Sequence, residues 1–152
     1  MKNINMSKNK LEITIDLEDH TAGLFGSIKT DVFRGFGEGW FNLIDIEAFI
    51  TDASKMISSL KSKANMVAGQ NSRDGSEYLE RFGLRCYPIG STGVIGVHVT
   101  LTDYPYTDCR AEEVFKVSGE IKTNIEKFNT FLSELSELIK NKREKVILIG
   151  EN

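Results

Sequence analysis

Residues 31–43 read DVFRGFGEGWFNL, with glycine at positions 35, 37 and 39 set among Phe33, Phe36, Trp40 and Phe41. This spacing poses a choice between a phosphate-cradling loop and an extended strand that carries glycine on one face. A dinucleotide loop requires G-x-G-x-x-G between a strand and a helix. Gly35 and Gly37 satisfy the first two positions, but the third falls on Trp40. A Walker loop would close on Gly-Lys-Ser/Thr, which does not follow. The kinase loop leads into a strand, whereas a helical pattern follows here. Period two gives the strand reading instead, with Gly35, Gly37 and Gly39 beside Phe33 and Phe41 on one face. Val32, Arg34, Phe36, Glu38 and Trp40 lie on the other. Absent side chains on the first face admit close approach of another element.

Working outward, Ile46, Phe49, Ile50, Ala53, Met56, Ile57 and Leu60 recur at helical spacing, the stripe of a helix laid on a core. Asn42 or Asp45 is placed to cap it. On the amino-terminal side, LEITIDL (residues 11–17) alternates apolar and polar residues as a half-buried strand does, and residues 24–33 read as a second strand. Residues 63–81 hold few large apolar side chains and are expected to form a loop dividing the chain. After it come strands over FGLRCYPIG, TGVIGVHVTLTDY and EVFKVSGEIK, then a second amphipathic stripe of Ile125, Phe128, Phe131, Leu132, Leu135, Leu138 and Ile139. Thr123 and Glu126 have capping-box spacing. Residues 44–61 align without gaps on residues 123–140, placing Ile46 on Ile125 and Phe49 on Phe128. The order predicts an α+β chain of two βββα units, over 11–62 and 82–143, in one domain spanning 11–152. Its mostly antiparallel sheet carries both helices on one face.

The chain has 152 residues, a net charge of −3 and two cysteines. This composition fits a globular domain able to bury a core unaided, and its charge argues against a nucleic-acid partner. Residues 1–10 are polar and read as a loose arm. No run is apolar and long enough for a membrane span, and the chain is read as cytoplasmic. Cys86 and Cys109 have no metal-ligand spacing and are expected to be a buried and a loop thiol. No metal or other cofactor is expected.

Three places could carry function. His98 lies on the strand face opposite Ile95, Val97 and Val99, where a general base could work. With Phe36, Trp40 and Tyr87 it could line a small-molecule or enzymatic pocket on the open sheet face. The loop DYPYTDCRAEE (residues 103–113) gathers Tyr104, Tyr106, Asp108, Arg110 and Glu112, residue types common in interface anchors or in a hairpin loop folded onto its sheet. Finally, Val146–Ile149 suits an extra edge strand, within the chain or donated to a second copy, so that a monomer or a homodimer is expected.

The segments LEITIDL, GWFNLIDIEAFITDASKMISSL, LRCYPIG…GVIGVHVTL and NIEKFNTFLSELSELI are similar in order and pattern to bacterial immunity proteins of polymorphic toxins, including those paired with wall-associated contact-dependent toxins. The resemblance covers most of residues 11–140. It implies a non-enzymatic binder that docks on a toxin domain and blocks it. A basic nuclease would complement the acidic, tyrosine-bearing loop. The resemblance assigns no catalytic residue.

Overall fold

A computed structural model describes residues 9–106 and 108–151. Among these, β1 (Lys10–Leu17), β2 (Thr21–Lys29) and β3 (Arg34–Asn42) lead into α1 (Leu43–Ser59), followed by β4 (Ala64–Asn71). The order then repeats with β5 (Tyr78–Ile89), β6 (Val94–Asp103), β7 (Phe115–Asn124), α2 (Ile125–Ile139) and β8 (Lys145–Ile149). A single 3-10 turn, Ala111–Glu113, interrupts the loop before β7. The fold is α+β and its strand pairing is antiparallel throughout.

The strands form two sheets rather than one, in the orders β3-β2-β1-β8 and β4-β5-β6-β7. Each half of the chain therefore gives its last strand to the sheet of the other half. The helices follow the same exchange, α1 packing chiefly on β4 and α2 on β8, while the two also touch each other. One continuous core lies between the sheets. It is filled by the helices in one part and by β3 in the other.

The bare face of β3 explains that division. A Cβ added at Gly37 would lie 2.9 Å from Leu101 Cβ on β6, and one at Gly39 would lie 2.8 Å from both Ala68 on β4 and Phe82 on β5. At Gly35 it would overlap Val117 on β7. Successive glycines, ~6.6 Å apart along an extended strand, thus meet successive strands of the second sheet spaced ~4.8 Å. β3 crosses that sheet transversely with nothing between the backbones and its side chains, as in orthogonally packed sheets. The opening stretch is a strand, and its glycines are the seat of the inter-sheet contact. β3 and β7 run directly into their helices, with Asn42 and Asn124 at the N-cap positions.

Those caps set the internal equivalence. Asn42 and Asn124 are 82 residues apart. The buried set of α1, Ile46, Phe49, Ala53 and Met56, maps at the same interval onto Phe128, Phe131, Leu135 and Leu138 of α2. The alignment of Ile46 with Ile125 is therefore displaced by three residues. A slip of three returns nearly to the same side of a helix, so the amphipathic stripes still coincide.

Other expectations are corrected. Residues 63–81 are not a loop: β4 lies there, its buried Ala64, Met66 and Ala68 alternating with more exposed neighbours. The loop is only the short turn before Tyr78. The cap of α2 is the Asn124 side chain, which accepts a hydrogen bond from Lys127 N–H at 2.8 Å, rather than Thr123. Thr123 is still part of β7, buried, with its hydroxyl unpaired among the described residues. Of the expected amino-terminal arm, residues 1–10, Lys10 belongs to β1 and the Asn9 carbonyl accepts from Gly150 N–H, while residues 1–8 lie outside the described residues. Val146–Ile149 pairs with β1 inside the chain. The outer edge of β8 is an end of its sheet.

Gly119 on β7 is the equivalent of Gly37, yet a Cβ there would meet nothing within 4 Å. Gly37→Ala should lower unfolding free energy by about 1–3 kcal/mol through overpacking. Gly119→Ala should leave it unchanged or raise it by about 0.4–1 kcal/mol, through a less flexible unfolded chain. Urea unfolding of both variants checks the contrast.

Candidate functional site

Beyond the open edge of β3, the ends of β4 to β7 and their two connections form one end of the molecule. The β4–β5 connection is a turn organised by Asp74. Its carboxylate accepts from Ser76 N–H at 2.9 Å, from Ser76 Oγ at 2.6 Å and from Ser72 Oγ at 2.9 Å. These bonds, those from Ser76 foremost, hold the carboxyl at about 2. Gly75 supplies the left-handed residue (φ 75°) that the turn requires. Arg73 reaches across to Asp108 at 2.6 Å and ties this turn to the β6–β7 loop.

In that loop Tyr104 is held from below. Arg81 donates to the Tyr104 carbonyl at 2.6 Å and its guanidinium lies 5.6 Å from the ring centroid, a cation–π distance. Tyr106 donates through its hydroxyl to Glu113, which also accepts from Arg110 N–H at 2.7 Å. Both interactions lower the Glu113 proton affinity, the Tyr106 bond foremost. Glu112 stands exposed on the 3-10 turn. An open groove of about 880 Å³ runs between the two connections, lined by Tyr104, Asp108 and Cys109 among others. Of the expected loop residues, Tyr104 and Asp108 therefore face this groove. Asp108 and Glu113 are occupied by partners within the same end of the molecule.

His98 lies on the outer face of β6, as expected, above a polar network. Its Nε2 is 2.8 Å from Ser118 Oγ, which is 3.3 Å from Thr100 Oγ1. Glu80 grips Arg85 in a two-bonded fork at 2.8 and 2.5 Å, and that bond lowers the Glu80 proton affinity. Tyr87 donates to Glu120 at 2.5 Å. Burial first, and this bond second, push the Tyr87 phenol up to about 12. The shared pocket of Phe36, Trp40, Tyr87 and His98 does not form. Phe36 and Trp40 lie on the outer face of the first sheet, where the Trp40 ring covers Gly23. Tyr87 and His98 lie on the second sheet, in adjacent cross-strand rows. Alternation along a strand was read correctly, but the division into two sheets separates the residues.

The same end carries a feature that the sequence pattern hides. Val32, Phe33, Phe36 and Phe115 are 80%, 66%, 65% and 78% exposed. Phe36 and Phe115 border one cleft of about 530 Å³, whose floor is Gly35, Gly37, Leu101 and Val117. Phe115 continues the inward row of Val117, Ile121 and Thr123 on β7, past the point where the opposite sheet ends. Phe33 is its equivalent in the first half, at the same 82-residue interval as the two caps. Beside them the ladder register sets Lys10, Lys29 and Arg34 in one cross-strand line. None of the three takes part in an ion pair among the described residues.

Both cysteines are free thiols, Cys86 buried and Cys109 half-buried in the groove, and burial pushes the Cys86 thiol up. Among the described residues no cluster of three or more His, Cys, Asp or Glu side chains could hold a metal, and no helix is long and apolar enough to cross a membrane. No protein-family model, curated protein or solved structure matches the chain.

The Asp74 turn has a defined pH response. Its carboxyl titrates at about 2, below the ordinary 3.8. The turn's contribution is therefore complete above the unfolded value and is lost as pH falls through about 2. A carboxyl-carbon NMR titration should find this midpoint, and Ser76→Ala should move it upward.

Proposed function

We propose that the protein is a non-enzymatic binding module whose partner is another protein, and that this partner is a toxin domain which it neutralises. The observation that carries the binding reading is the exposed apolar group Val32, Phe33, Phe36 and Phe115 at one end of the molecule. Scattered exposed apolar residues are ordinary, but two exposed aromatics bordering one cleft, Phe36 and Phe115, with Val32 and Phe33 exposed in the turn that leads into β3, mark an interaction surface. Aromatic anchors beside a cleft, with arginine and tyrosine near them, have the composition of protein interfaces. The groove at Tyr104 and the Arg73–Asp108 clasp extend this surface across the same end. The toxin as partner rests on the sequence resemblance to immunity proteins.

The test is co-expression with toxin domains encoded beside the gene, followed by affinity capture and growth rescue. One-to-one capture and restored growth are expected. Absence of both with every neighbouring toxin overturns the toxin reading. Phe115→Ser should weaken a captured complex by about 2 kcal/mol or more, as loss of an interface anchor does.

A second reading has its own observation, the 2.8 Å contact of His98 with Ser118 in a shallow groove of about 420 Å³ on the open face of the second sheet. A small-molecule site or an esterase would use this pair, with histidine as base. Turnover of p-nitrophenyl acetate that disappears in Ser118→Ala would favour it, and equal background rates in both proteins would remove it.

A further inference from the structure

The second sheet extends past the open edge of β3. Among the described residues β3 ends its sheet and pairs only with β2. Its residues 34–38 form one wall of the 530 Å³ cleft, and the ends of β6 and β7 form the other side. Arg81, Asp103 and Phe115 lie on this overhanging shelf. Phe115 therefore has the position of a core residue whose cover is missing, which accounts for its 78% exposure in a row that is otherwise at least half-buried. The backbone donors and acceptors along the outer side of an edge strand are a template for one further strand.

We propose that an extended segment of the protein partner adds as a fifth strand to the open edge of β3, with a carboxylate beside Arg34 on its solvent face and an apolar side chain over Phe115. This rests on the protein-binding reading above. The geometry supports addition rather than surface contact alone, because a strand ~4.8 Å beyond β3 would sit on the shelf. Main-chain bonds then supply affinity and alternate side chains supply selectivity. The charge follows from register. Lys10, Lys29 and Arg34 line one end of the sheet's outer face in directly paired positions, and like charges placed opposite one another cost stability unless an anion joins them. A strand on β3 would bring its outward side chain beside Arg34, the end of this line. Glu38, four residues further along the same outward row, disfavours a second anion there, and with Asp103 it disfavours a phosphate backbone running along the cleft.

The full chain would be titrated with the peptide acetyl-EVTFTVT-amide and observed by amide NMR and hydrogen exchange. Shifts at Gly35 and Gly37, with slowed exchange of β3 amides, are expected. The lysine counterpart acetyl-KVTFTVT-amide should bind at least tenfold more weakly, and Arg34→Glu should reverse this preference. Phe115→Ser should weaken the acidic peptide at least tenfold without changing the melting temperature, since the residue is exposed. Absence of shifts on β3 overturns the proposal. So does equal binding of the two peptides, tighter binding of oligo(dT) at the same residues, or closure of the edge by residues 1–8 or a second copy. The former would be revealed by gained affinity on deleting them and the latter by concentration-dependent mass. The outcomes separate from those of the parent reading. A toxin complex unaffected by Arg34→Glu and Phe115→Ser removes the strand addition alone, whereas peptide binding without any toxin partner removes the toxin reading alone.

Discussion

The direct seating of β3 on the side chains of the opposing sheet determines the rest of the architecture. Three alternate glycines remove the layer of side chains that would normally separate two sheets by ~10 Å. Leu101, Phe82, Ala68 and Val117 occupy that space from one side only. Close approach along one transverse line forces the sheets apart elsewhere, and the helices fill the wedge. The edge of β3 and the overhang of the second sheet are consequences of the same crossing. The surface with the most unusual chemistry is thus positioned by the least decorated strand of the protein.

Much of this order was legible in the residues. Alternation in LEITIDL and VIGVHVTL and the two helical stripes fix element type because their periods differ. β4 escaped because its inward residues are Ala64, Met66 and Ala68, two of them too small to mark a period. The number of sheets was not legible, since no local pattern records which strand pairs with which across the chain. The same limit applies to the site. Tyr104 and Asp108 were visible as interface-type residues in one loop, but their links to Arg81 and Arg73 are long-range. Phe115 looked like an ordinary strand residue. Its exposure depends on where the other sheet stops. An 82-residue comparison centred on Asn42 and Asn124, the residues before the two helices, would have paired it with Phe33.

The charge distribution also differs from what a net charge of −3 suggests. Two of the four carboxylates of the 103–113 loop are committed: Asp108 to Arg73, and Glu113 to Tyr106 and the Arg110 backbone. Among the described residues Lys10, Lys29 and Arg34 of the first sheet take part in no ion pair. A partner approaching this end meets a partly compensated acidic loop and a basic line without ion-pair partners among the described residues. Overall charge therefore governs long-range steering, while the local contact favours the opposite sign.

The exchange of terminal strands has a consequence for how the chain reaches its native state. β8 pairs with β1 from Lys10↔Ile149 to Thr14↔Lys145, and Gly150 N–H donates to the Asn9 carbonyl at 2.8 Å. The first sheet is thus completed by residues from opposite ends of the described chain. Such a ladder carries a large loop-closure entropy and a high contact order, so it forms late. The β4–β5–β6–β7 meander needs only neighbouring segments and can assemble first. During synthesis β1 waits, with one edge unsatisfied, until the final strand emerges. The same proximity of Asn9 and Gly150 makes the described fold a natural candidate for circular permutation, with a short linker joining residues 9 and 150 and new ends opened at the Asp74 turn.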